Sequence, residues 1–178
     1  MRVNIHERLF PVPVIDVATL ISTLASADDR LWPHEDWPRM RFDRGLVVGA
    51  FGGHGPVRYR VERVDPAGEV VFRFTGPSGF HGWHGYRAQE ITEGQTVLRE
   101  ELRIAPRGWA RITWPLFFRH LHDALIEESL DKAARELGAP TYARYRRPLW
   151  TRILYALVAG SASRRRAELR QRTVSEHR

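Results

Sequence analysis

Hydrophobic positions recur every second residue through the middle of the chain and every third or fourth residue on either side of it. Val57, Tyr59 and Val61 alternate with Arg58, Arg60 and Glu62; Val70, Phe72 and Phe74 repeat the spacing; Leu98, Leu102 and Ile104 alternate with Arg99, Glu101 and Arg103. A period of two is the mark of a strand with one buried face. Asp65-Pro66-Ala67-Gly68, Gly76-Pro77-Ser78-Gly79 and Glu93-Gly94 separate these runs as turns. Residues 45–53, rich in glycine, read as a small-residue strand closed by a turn at 52–56, and 80–92 as a further strand with an irregular start. Short turns between successive strands predict an antiparallel meander. Ahead of it, 3–10 reads as a strand ended by Pro11 and Pro13. Residues 14–25 read as a helix, with Val14, Val17, Ala18, Ile21 and Leu24 on one side. Between that helix and the sheet, Trp32-Pro33 and Trp37-Pro38 predict a packed cover rather than a floppy linker, because tryptophan buries a large apolar area.

The longest helical pattern spans 113–137. Thr113 suits its N-cap, Pro115 its first turn, Gly138 its left-handed end, and Pro140 stops it. Phe118, Leu121, Leu125, Ile126, Leu130, Ala133 and Leu137 form one stripe, while Arg119, Asp123, Glu127, Glu128, Asp131, Lys132, Arg135 and Glu136 fall opposite. A helix of about 25 residues is roughly 37 Å long. It needs a broad surface, and the strand run supplies one. The class is α+β, with helices outside the run of strands. A curved sheet around one long helix leaves a gap suited to an apolar ligand, lined by Val57, Tyr59, Val61, Val70, Phe72, Phe74, Leu98, Leu102, Phe118, Leu121 and Leu125.

Composition narrows the classes. With 178 residues, 43% of them hydrophobic, the chain makes one ordinary domain with a real core. The absence of cysteine excludes disulfides, thiolate metal sites and a cysteine nucleophile. The first twenty residues lack the charged start and apolar run of a signal peptide, and nothing reaches spanning length, so a cytoplasmic protein is expected. After Gly138, ten arginines and two glutamates give +8 of a total of +7, so residues 1–138 carry −1. The basicity belongs to the tail, which makes nucleic acid the least supported partner.

The order of elements, Leu31–Arg44 (LWPHEDWPRMRFDR) and Gly79–Leu102 (GFHGWHGYRAQEITEGQTVLREEL) resemble the START-like, helix-grip superfamily, also called SRPBCC. That group holds polyketide cyclases/dehydrases and lipid-transport proteins. The resemblance covers Met1–Gly138. It implies a curved antiparallel sheet wrapped around the long C-terminal helix, with a hydrophobic small molecule or lipid bound between them and no cofactor. Its marks are architectural, so a carrier and a polyketide cyclase/dehydratase-like enzyme both remain open.

Glu100 is the sharpest candidate. It sits between Leu98 and Leu102 in the inward register, where a carboxylate needs a partner or a raised pKa. It reads as a ligand-binding or acid–base group, as half of a structural pair with an arginine, or as a residue that a bulge turns outward. Tyr59, His84, Tyr86 and Arg87 join it; Tyr59 shares the apolar register, whereas the irregular strand leaves the other three undecided. Glu100, Tyr59 and His84 are the candidate catalytic residues, and Tyr86 and Glu100 join the lining above as ligand contacts. No metal is expected: His81 and His84, three apart on a strand, face opposite ways, and His120 and His122, two apart on a helix, are assigned to the surface or rim. The glycines of 45–55 lack the Gly-Lys-Ser/Thr of a phosphate loop.

Residues 139–178 form a basic extension with an amphipathic helix at about 148–160. Trp150, Ile153, Leu154 and Leu157 share a face, flanked by Arg146 and Arg147, with Arg144 before them and Arg164–Arg166 after. Two readings stand level. One is an interfacial helix on an anionic membrane, at the inner face of which the protein would be peripheral. The other is a helix docked on the domain or on a second subunit, as in a homodimer.

Overall fold

The computed structural model describes residues 1–139 and 145–157. The chain divides into two compact units, Met1–Tyr145 and Arg146–Arg178.

In the first unit, seven strands form one antiparallel sheet in the order β1-β7-β6-β5-β4-β3-β2. They are β1 (Arg2–Phe10), β2 (Arg41–Phe42), β3 (Phe51–His54), β4 (Val57–Asp65), β5 (Glu69–Gly76), β6 (Gly82–Thr92) and β7 (Gln95–Ile104). Helix α1 (Val14–Ser22) follows β1. At the other end α2 (Ala110–Thr113), a π-helical turn (Trp114–Phe118) and α3 (Arg119–Glu136) run on as one rod. The meander from β4 to β7 follows the period-two pattern. Val57, Tyr59, Val61, Val70, Phe72, Phe74, Leu98, Leu102 and Ile104 are all buried, and the charged residues between them, Glu100 excepted, face out or sit half-buried. Pairing carries two neighbouring inward rows across the sheet: Val61, Phe72, His84 and Leu102 in one, and Val70, Tyr86 and Glu100 in the other. The second row ends at His6, opposite Glu100 on edge strand β1.

Three expectations are corrected. Residues 45–50 are not a strand, because Gly45 (φ +73) and Gly49 (φ +85) stand in the left-handed region and turn the chain. Extended backbone starts at Phe51, and Gly52 lies in β3 rather than in a turn. A Cβ there would fall 1.9 Å from the Arg41 carbonyl oxygen on β2, so only glycine lets the two short strands approach. The helix starts at Ala110 and not at Thr113, whose hydroxyl donates back to the Trp109 carbonyl at 3.3 Å. Pro115 therefore lies inside the rod. Proline has no N–H and its ring collides with the carbonyl four residues back, and widening to a π-turn at Trp114–Phe118 relieves both problems. Finally, Asp131 and Lys132, expected on the solvent face of α3, are buried. Asp131 accepts from Arg8 of β1 at 2.6 Å. Lys132 donates to the carbonyls of Asp29 (3.1 Å) and Trp32 (3.0 Å) and to Glu35 (2.8 Å).

Those contacts fix the segment before the sheet. Trp32 is fully buried with its indole N–H on the Pro38 carbonyl, and the Trp37 indole donates to Glu128 of α3 at 2.8 Å. Trp32 and Trp37 thus lie against α3 as a cover.

In the second unit, residues 149–157 are helical, and the Arg147 guanidinium lies 4.1 Å over the Tyr155 ring. Leu149, Trp150, Ile153 and Leu157 are exposed. Arg144, Val158 and Arg164–Arg166 lie outside the described residues. Among the described residues, no helix is long and apolar enough to cross a membrane.

Candidate functional site

The inward face of the sheet meets the rod across a cluster of aromatic rings with charge at its centre. His84 packs on Tyr59 (4.7 Å between ring centroids), Phe72 (5.3 Å) and Phe74 (5.5 Å). Phe80 bridges Phe74, Trp114 and Phe118, at 5.8, 5.6 and 4.9 Å. His122, from the first turn of α3, faces Trp114 and His84 across 6.2 and 6.3 Å. Such wide offset and edge contacts line the interior with π-surface.

Glu100 is completely buried within this cluster. Its Oε1 accepts from His84 Nδ1 at 3.1 Å and from His122 Nε2 at 3.3 Å. The remaining polar atoms of the three groups, Glu100 Oε2, His84 Nε2 and His122 Nδ1, are buried without a hydrogen-bond partner. Burial alone would push the Glu100 carboxyl up. The His122 charge and the two histidine hydrogen bonds outweigh it and bring the pKa down to about 2. Burial pulls His122 down, but the Glu100 carboxylate and Asp123 lift it to about 9. Burial dominates at His84, which is lowered and stays neutral. The interior therefore holds an ion pair, Glu100 carboxylate with His122 imidazolium, beside a neutral imidazole. Of the alternatives weighed for Glu100, an arginine partner is not what the structure shows: a pair of histidines holds it.

A second polar pair lies at the β3 side. His54 Nε2 is 2.8 Å from the Tyr59 hydroxyl. Burial holds the His54 pKa at about 3 and raises that of Tyr59, so the phenol donates to a neutral imidazole.

The structure thus places Tyr59, His84, Glu100, Val61, Phe72, Phe74, Leu98, Leu102 and Leu125 in the interior. Phe118 and Leu121 are half-buried. Tyr86 also points inward, but its hydroxyl is engaged 2.9 Å from Ser129, which donates on to the Leu31 carbonyl, so it pins sheet to helix. Arg87 faces out, lining a shallow groove on the outer face of β5–β7 with Trp83, Arg99 and Glu101. His84 is buried and not at a rim, whereas His81 is exposed.

His122 is the residue that sequence reasoning assigned wrongly. It lies at i+4 from Phe118 and i−3 from Leu125, within the apolar stripe itself. A reading that admitted polar residues to the stripe would have turned it toward the sheet.

At the rim, β1 supplies a polar row. His6 Nδ1 lies 2.7 Å from Glu127 and its Nε2 3.3 Å from Asp123; Arg8 reaches Glu127 and Asp131. Burial pulls His6 down, but Asp123 and Glu127 raise it to about 9. A raised histidine contributes stability that is complete below its unfolded pKa near 6.5 and is lost as pH rises through its folded value. Thermal melts should therefore fall progressively between pH 6.5 and 9, by the order of 2 kcal/mol. His6→Gln should reduce that slope to the part that His122, raised likewise, contributes, and an unchanged slope would refute this assignment of charge.

No family model matches the chain, and no curated protein matches it. Solved structures do. A solution structure from Thermobifida fusca aligns with a TM-score of 0.59 and 16% identity over 78% of this chain and 94% of that one. CalU16 from Micromonospora echinospora aligns at 0.55 and 14% over 89% and 87%. A Thalictrum norcoclaurine synthase point mutant, in complex with a transition-state analogue, aligns at 0.51 and 16% over 74% and 96%. These identities speak to fold alone: a seven-stranded antiparallel sheet with a long helix after it, the helix-grip fold, is what the chain shares with these structures.

Proposed function

We propose that the chain binds an apolar, ring-bearing small molecule that carries one polar group, held between the sheet and the rod of α2 and α3. The observation that carries this reading is the pair of buried polar atoms without a hydrogen-bond partner, Glu100 Oε2 and His84 Nε2, enclosed by aromatic walls. Buried polar groups in folded proteins are nearly always paired, and exceptions call for a reason. Apolar walls around a few convergent polar groups with shifted pKa values are the ordinary make-up of a small-molecule site.

Each group has a role in this reading. The aromatic rings stack the apolar part of the ligand. The Glu100 carboxylate accepts from a ligand hydroxyl or amine, and His122 as a cation orients the carboxylate. Removing about 200 Å² of apolar ligand surface from water supplies roughly 5 kcal/mol before the costs of association. The binding reading needs no proton transfer, and the buried pair is already at its resting charge. The solved norcoclaurine synthase holds an organic ligand within the same fold, which supports the class of molecule and not its identity. A lipid as cargo, and attachment of residues 146–157 to an anionic membrane, remain parts of the proposal; the exposed Leu149, Trp150, Ile153 and Leu157 support the second.

The test is native mass spectrometry of the full chain purified under mild conditions, followed by organic extraction. One aromatic or polycyclic molecule per chain is the expected result. A ligand-free mass together with no uptake from a panel of such molecules would overturn the reading.

A further inference from the structure

We propose that His84, Glu100 and His122 form a binding site for a divalent transition-metal ion of the Zn²⁺ class. One donor atom from each residue lies within 4.8 Å of the other two. Zinc sites with two histidines and one carboxylate hold the metal at about 2.0–2.2 Å from each donor, so tetrahedral donors lie roughly 3.3 Å apart. Glu100 Oε1 is already 3.1 Å from His84 Nδ1 and 3.3 Å from His122 Nε2. The donors would close on an ion with little movement, and binding would displace the protons that His84 Nδ1 and His122 Nε2 now give to Glu100, one of them released to solvent.

The second observation is independent of that spacing. Glu100 is wholly buried, and its second oxygen, Oε2, has no hydrogen-bond partner, so it is free to serve an ion as a further donor. An ion between the three residues would take Glu100 as a bidentate or monodentate ligand and leave room for a fourth donor, which is the arrangement of an open zinc site. The outer layer fits too. Asp123 Oδ1 stands 3.9 Å from His122 Nδ1, the position of the carboxylates that orient metal-bound histidines, and His6 Nε2 holds that carboxylate from the other side at 3.3 Å. Imidazole and carboxylate donors with no sulfur select zinc, iron or nickel over copper(I).

The ion would occupy the same interior as the small molecule proposed above, and the two proposals fail separately because metal alone is the probe here. The full chain is dialysed against Zn²⁺, washed, and assayed for metal by mass spectrometry, beside Glu100→Gln, His6→Gln and His81→Gln. The expected result is one ion per chain, weakened at least about tenfold by Glu100→Gln and unchanged by His81→Gln. No stoichiometric ion in the wild-type chain overturns the proposal, as does binding that survives Glu100→Gln and is lost in His6→Gln. Should Glu100→Gln fail to fold, the wild-type chain decides. Added Co²⁺ should broaden the imidazole NMR signals of His84 and His122 while leaving His81 and His120 sharp, and broadening of the latter pair alone would refute the site.

Discussion

Replacing Glu100 by glutamine is expected to cost roughly 3–5 kcal/mol of stability near neutral pH, a large share of what a domain of this size has. The variant keeps the shape and one acceptor oxygen but removes the charge that holds His122 as an imidazolium. The cation must then lose its proton or stay buried without a counter-charge. Exchanging both partners tests the cause. Glu100→Leu with His122→Leu should recover most of the loss, because replacing a buried pair with packed apolar groups is often neutral or stabilising. Urea unfolding of the two single variants and the double gives the coupling directly. Independent, additive costs would mean that Glu100 and His122 do not act as an ion pair.

The second large effect is expected at Lys132. Its ammonium holds the carbonyls of Asp29 and Trp32 and the exposed carboxylate of Glu35. Lys132→Met fills a similar volume but leaves the Asp29 carbonyl without its lysine donor and the Trp32 carbonyl with only the His34 residue as donor, at about 2 kcal/mol. Glu35→Gln should cost under about 1 kcal/mol, since that carboxylate stays in water. The segment 29–37 is the cover over the interior, so Lys132→Met should also expose it to limited proteolysis before the sheet unfolds. Equal resistance of wild type and variant would show that Trp32 and Trp37 hold the cover unaided.

How much of this could be read from the chain depends on what each residue must satisfy. The strands β4, β5 and β7 were legible because Val57–Val61, Val70–Phe74 and Leu98–Leu102 alternate cleanly, and burial on one face is a local demand. Glu100 was legible for the same reason, as a charge in an apolar register. Its partner was not. His122 comes from 22 residues away on a different element, and only the packing of helix on sheet decides that the two meet. Lys132 and Asp131 read as solvent-facing because charge is normally exposed; the contacts that bury them come from about 100 residues upstream. The helix start was misplaced because Pro115 suits a first turn on local grounds. A π-turn that accommodates proline in mid-rod leaves no trace in hydrophobic spacing. Residues 45–53 read as one strand because the positive φ of Gly45 and Gly49, which turns the chain, leaves no mark in the spacing.

The central claim is that the space between sheet and rod receives a ring-bearing molecule anchored on Glu100. The most direct measurement is heteronuclear NMR of the full chain titrated with the molecule recovered by extraction, or with a soluble naphthol if none is recovered. The account predicts saturable shifts confined to Tyr59, Phe72, Phe74, His84, Leu102, Trp114 and His122. Shifts confined to the outer groove at Trp83, Arg87 and Arg99, or no shift in the interior at saturating probe, would contradict it.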